Sequence, residues 1–166
     1  MVDNILLAFA FSSIGLALAI LLTWVSLVSF ANVNLSPFSF MNVLTTLGVL
    51  FMYNSSVEVS GIRDFLIYIA VSFFFHAGRI STLLENEDKR LRVFFLSSGY
   101  TKNEYVLNYL FKRAIRKNIT SLFSCWGLFA LILEMRHLEV RQYLGFWIGL
   151  FLLCLGVTSS LLDRKN

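Results

Sequence analysis

Charge is what this sequence has least of. Only 14% of its 166 residues are Asp, Glu, Lys or Arg, about half the share of a typical soluble domain. Proline is nearly absent, with one in the chain, so long helices run with little interruption. The two cysteines, Cys125 and Cys154, both sit in apolar stretches, which excludes a disulfide framework and reads as small buried thiols. No His, Cys, Asp and Glu cluster has metal-ligand spacing. No nucleophile–base arrangement and no glycine-rich phosphate loop stands out. The residues therefore point to no catalytic chemistry, no metal, no cofactor and no nucleic-acid partner.

What is present is apolar. Hydrophobic residues make up 57% of the chain, with 17 Phe, and the mean hydropathy is +0.73. From Asn4 to Val57 there is no charged residue at all. A single charge at the bilayer centre costs at least about 2.5–3.5 kcal/mol on insertion scales, and one crossing takes about 20 residues, so this stretch holds two spans. Asn32 and Asn34 interrupt it, and Ser36-Pro37 supplies an N-cap with Pro at the first helical position. The opening Met1-Val2-Asp3-Asn4 has no basic residue, and the run after it exceeds the roughly 7–15 residues of a signal-peptide core; it is expected to stay as a span.

The sequence thus predicts an all-α integral membrane protein in a single membrane domain, 1–166. Five transmembrane helices are expected near 4–30, 37–54, 61–82, 118–135 and 142–162, with a cytoplasmic amphipathic elbow at 83–117. The segment 79–117 holds nine Lys or Arg against four Asp or Glu. The positive-inside rule places it in the cytoplasm, or in the matrix of an organelle. Counting crossings puts the N-terminus outside and the C-terminus, Asp163-Arg164-Lys165, inside.

The elbow has internal order. Leu84, Leu91 and Phe95 recur at helical spacing, Ser97-Ser98-Gly99 breaks the pattern, and Thr101-Lys102-Asn103-Glu104 has the form of a capping box. The helix it opens groups Val106, Leu107, Leu110, Phe111, Ala114 and Ile115 on one side. Asn108, Lys112, Arg113, Arg116 and Lys117 lie on the other. Two readings stand. The basic face anchors the chain to anionic lipid, worth about 1 kcal/mol per basic residue at the surface, or the elbow is a lever that a cytoplasmic partner pushes.

The stretch Glu85-Asn86-Glu87-Asp88-Lys89-Arg90-Leu91-Arg92-Val93-Phe94-Phe95-Leu96-Ser97-Ser98-Gly99-Tyr100-Thr101-Lys102-Asn103-Glu104 resembles the cytoplasmic elbow of FtsX-like ABC transporter permeases, the bacitracin-exporter branch in particular. Glu85, Asp88, Lys89, Arg92, Gly99 and Glu104 fit that pattern, and the last two helices fit the family's hairpin. The resemblance implies a cytoplasmic ATP-binding-cassette ATPase docked on the elbow and a second permease copy or homologue, in a bacterial cytoplasmic membrane. The large extracellular domain usual in the family has no counterpart here. A rival resemblance lies in the first half. Ser36-Pro37 and Phe65-Leu66-Ile67-Tyr68-Ile69-Ala70 look like part of subunit 6 of respiratory NADH:quinone oxidoreductase, although Tyr68-Ile69-Ala70 stands where that family has Tyr-x-Gly. It implies a proton-translocating or accessory membrane-arm subunit, with the mitochondrial inner membrane as the other location.

Three further features carry expectations. His76 is the one histidine well inside a span, expected as a neutral, hydrogen-bonded side chain, while His137 lies in a short polar link. Gly15, Ala17, Ala19 and the pair Gly145 and Gly149 allow close helix contact. Arg63-Asp64, with Glu58 before them, are expected as a salt-linked cap.

Overall fold

The computed structural model describes residues 2–28, 36–56, 61–85, 89–135 and 142–163. They form seven α-helices, and no strand occurs among the described residues. In chain order these are α1 (Val2–Val28), α2 (Val43–Ser56), α3 (Gly61–Glu85), α4 (Lys89–Ser97), α5 (Lys102–Tyr105), α6 (Lys112–Met135) and α7 (Gln142–Asp163). A 3₁₀ helix, Ser36–Phe40, precedes α2, and a π-helical turn, Val106–Phe111, joins α5 to α6 without a break.

Four helices are long and apolar enough to cross a membrane, through Asp3–Val28, Gly61–Ser81, Ala114–Met135 and Leu144–Leu162. This is consistent with a multi-pass membrane protein. The expected helix near 37–54 is divided. Ser36-Pro37 opens the 3₁₀ turn, and the α-helix is capped afresh at Asn42. The Asn42 side chain accepts from the Thr45 amide at 2.9 Å, and the Asn42 amide donates to Thr45 Oγ1 at 2.7 Å, a reciprocal cap of the first turn. The α2 helix has 14 residues, about 21 Å of rise, which is short of the roughly 30 Å of a hydrocarbon core.

Two packing units build the bundle. In the first, α2 and α7 run antiparallel with their backbones nearly touching. A Cβ on Gly48 would lie 2.6 Å from Leu153 N, one on Gly149 2.7 Å from Met52 N, and one on Gly156 2.5 Å from Thr45 N. Only glycine permits that approach, the device expected where lipid supplies no hydrophobic drive between helices. The Asn42 amide group also donates to Gly156 O at 2.7 Å. In the second unit α1, α3 and α6 enclose an aromatic core. Phe11 stacks on Tyr68 with ring centroids 5.2 Å apart, and Phe129 meets Tyr68 edge-on at 5.5 Å. Tyr68 donates to Asn54 Oδ1 at 2.8 Å, and Tyr53 donates to Asp64, so these contacts tie the end of α2 to the start of α3.

Long-range contacts fix the direction of each helix. At one end Asn4 donates to Glu134 at 3.5 Å and the Trp126 indole donates to Ile5 O at 3.1 Å. At the other, the Trp24 indole donates to Asn103 Oδ1 at 3.1 Å. The second end gathers the finish of α1, the start of α2, the finish of α3, the start of α6 and the finish of α7. It therefore carries the basic segment.

Candidate functional site

The strongest sequence signals fall at this basic end, where α4, α5 and the π turn form an arm on α6. The arm turns a fixed corner. Ser97 and Ser98 each donate a hydroxyl to Phe94 O at 2.8 Å, which competes with continuation of the helix. Gly99 follows with φ +91°, and two crossed bonds close the end of α4, Tyr100 N to Phe95 O at 3.2 Å and Gly99 N to Leu96 O at 3.3 Å. This is the pattern of a Schellman motif, and the accompanying ring contact joins Phe95 to Tyr100 at 5.4 Å.

Two residues after Gly99 the next helix begins. Thr101 caps it by accepting from the Glu104 amide, while the Glu104 carboxylate accepts from the Thr101 amide at 2.8 Å. That backbone bond, with the one from the Thr101 hydroxyl, holds the Glu104 carboxyl below the usual carboxylate range. Beyond the cap, Tyr105 and Val106 are buried against Leu27 and Val28 of α1 and against Phe95 and Phe111. The arm is thus clamped to the end of α1 as well as fused to α6.

Of the residues singled out by the elbow resemblance, Gly99 forms the corner and Glu104 the cap. Glu85 ends α3, while Lys89 and Arg92 lie on α4. Asp88 lies outside the described residues. The grouping of apolar residues on one helical side does not hold throughout. Val106 and Ala114 are buried, but Leu107 and Ile115 are 49% and 58% exposed. Successive residues lie about 100° apart around a helix, so Leu107 and Ile115 flank the buried line of Val106 and Ala114 instead of joining it.

A second polar constellation lies inside the bundle. His76 is fully buried between Ser12 of α1 and Ser121 of α6. Its Nδ1 is 2.8 Å from Ser121 Oγ and its Nε2 is 3.4 Å from Ser12 Oγ. Ser12 spends its one hydroxyl proton on Leu122 O at 3.0 Å, so it accepts from Nε2–H, and the Ser121 hydroxyl then donates to Nδ1. One neutral tautomer satisfies every group. Beside it Ser72 Oγ and Cys125 Sγ are 3.5 Å apart, and a Cβ on Gly15 would fall 2.2 Å from Ser72 Oγ. The cluster pins three helices together. Among the described residues no group of three or more His, Cys, Asp or Glu could hold a metal ion. Arg79, one turn along from His76, places its guanidinium 5.3 Å from the Phe75 ring centroid.

Other expected features take local roles. Asp64 accepts from Tyr53, and Tyr68 is an aromatic core residue. Gly145 is buried and Ala17 exposed, while Ala19 is buried. Cys125 is buried and Cys154 exposed. His137 and Glu58 lie outside the described residues. Sequence reasoning missed Ser12 and Ser121 as histidine partners, Asn103 as partner of Trp24, and Asn42 as a cap. The available signal for the first two was their position, since a hydroxyl in an apolar span must bond to something. No protein-family model, curated protein or solved structure matches the chain.

Proposed function

We propose that this chain is a non-enzymatic transmembrane subunit of a membrane complex, a small permease component coupled to a cytoplasmic ATP-binding-cassette ATPase. The observation that carries the reading is the mechanical continuity of the arm. The corner at 97–101 is closed by a Schellman motif and a capping box, the chain then passes helically into α6, and the corner's far side is held by the end of α1. A push on α4 is thereby passed to two membrane helices instead of being lost in a flexible loop.

In this reading the chain crosses the membrane five times, with α2 and its leading 3₁₀ turn as the short crossing. The basic end lies in the cytoplasm, the N-terminus outside and the C-terminus inside, as the excess of Lys and Arg at 79–117 favours. The docking residues are Glu85, Asp88, Lys89 and Arg92, whose mixed charges suit an interface rim that sets partner and register. Gly99 and Glu104 keep the corner rigid. ATP-driven closure of the paired ATPases would tilt α6 and α1, and a second permease copy or homologue would answer the second ATPase. Neutralising the docking charges with D88N, K89Q and R92Q should leave the chain folded and uncouple ATP hydrolysis from transport. Unchanged coupling would overturn the reading.

A further inference from the structure

Where the π turn meets α6, an open cleft of about 470 Å³ lies against α1, lined by Ile20, Leu107, Asn108, Phe111, Lys112, Ile115 and Asn118. That volume is within the usual range of small-ligand sites. The π turn makes the cleft. Leu107, Asn108 and Phe111 all belong to it, and Leu107 is exposed. π-helical turns of this kind are frequent at functional sites.

The lining combines two chemistries in a defined order. Ile20 belongs to one span-forming segment, Asp3–Val28, and Ile115 and Asn118 to another, Ala114–Met135, while Lys112 and Asn108 precede the latter. The cleft therefore straddles the boundary between apolar helix and water-facing arm. Its polar members are one cation and two amides, with no acid among them. Lys112 makes no ion pair, and Asn108 and Asn118 make no side-chain hydrogen bond, among the described residues. Arg116, one turn further on, is exposed and adds positive potential.

We propose that this cleft is a binding site for one anionic phospholipid. Lys112 and the Asn108 amide take the phosphate and Asn118 an ester carbonyl, while the acyl chain runs along Ile20 and Ile115. Apolar walls continuous with the spans distinguish a lipid from a free anion. The site does not depend on the ATPase reading.

The test is native mass spectrometry of the full chain, released from micelles containing equal amounts of phosphatidylglycerol and phosphatidylcholine. One retained phosphatidylglycerol per chain is expected, in clear preference to phosphatidylcholine. Lys112→Gln should lower that preference about fivefold, whereas Lys117→Gln, an equal loss of charge outside the cleft, should change it little. Ile20→Trp, which fills the apolar wall without altering charge, should also reduce retention. Equal losses for Lys112→Gln and Lys117→Gln would show diffuse surface attraction and overturn the site. So would absence of any preference, or displacement of the lipid by inorganic phosphate, which would assign the cleft to a free anion.

Discussion

The α2–α7 pair and the α4–α5 arm hold together by opposite means. In the pair, Gly48, Gly149 and Gly156 bring backbones so close that a single added carbon would strike a main-chain nitrogen. In the arm, side chains bond to backbone three or four residues away, at Ser97, Ser98 and the Thr101 and Glu104 box. Lipid is as apolar as the side chains it bathes, so helices within it gain by close packing and by pairing polar groups. Water competes for every exposed backbone group, so an arm of short helices gains most from satisfying its helix ends locally. A membrane helix partner is thus chosen by shape, and a corner by sequence.

The largest effect of substitution is expected in the pair. Gly156→Leu would drive a Cβ to 2.5 Å from Thr45 N, where backbone, not a flexible side chain, must give way. A loss of about 3 kcal/mol or more is expected, read as a large fall in the thermal unfolding midpoint in detergent. Next comes the buried histidine. His76→Ala strips Ser121 of its partner and leaves a void between three helices, for a cost of about 2–4 kcal/mol in the same assay. If the variant were as stable as the parent, the cluster would not be the pin described here.

In the arm, Gly99→Val places a β-branched residue at φ +91°. Strain of about 1–2 kcal/mol is expected, localised to the corner and visible as faster amide hydrogen exchange at 97–101 with little change in the pair. The smallest effect is on acidity. Because the Glu104 carboxyl is lowered from 4.5 in the folded chain, its stabilisation is fully present above that value. It fades as pH falls through the lower, folded value. Exchange at the Thr101 amide should accelerate relative to neighbouring amides as pH falls through that lowered value, and Glu104→Gln should remove the dependence.

What the sequence made legible follows the same division. The break at Ser97-Ser98-Gly99 and the cap at Thr101 and Glu104 could be read because each spans a few consecutive residues. The apolar runs announced all-helical membrane character. The pairing of α2 with α7 could not be read, since Gly48 and Gly156 are isolated glycines with no pattern around them. Ser12 and Ser121 were equally silent, lying 64 and 45 residues from His76. The π turn was hidden too. Nothing in the local sequence marked the six residues 106–111 as wider-wound than their neighbours.

The proposed coupling of an ATPase to the membrane helices through the arm carries the most weight. It is tested most directly by purifying the tagged chain in mild detergent and identifying by mass what stays bound. The expected result is an ATP-binding-cassette ATPase that is retained by the parent and lost from the D88N, K89Q and R92Q variant. Retention of respiratory-chain subunits, or of an assembly without any such ATPase, would contradict it.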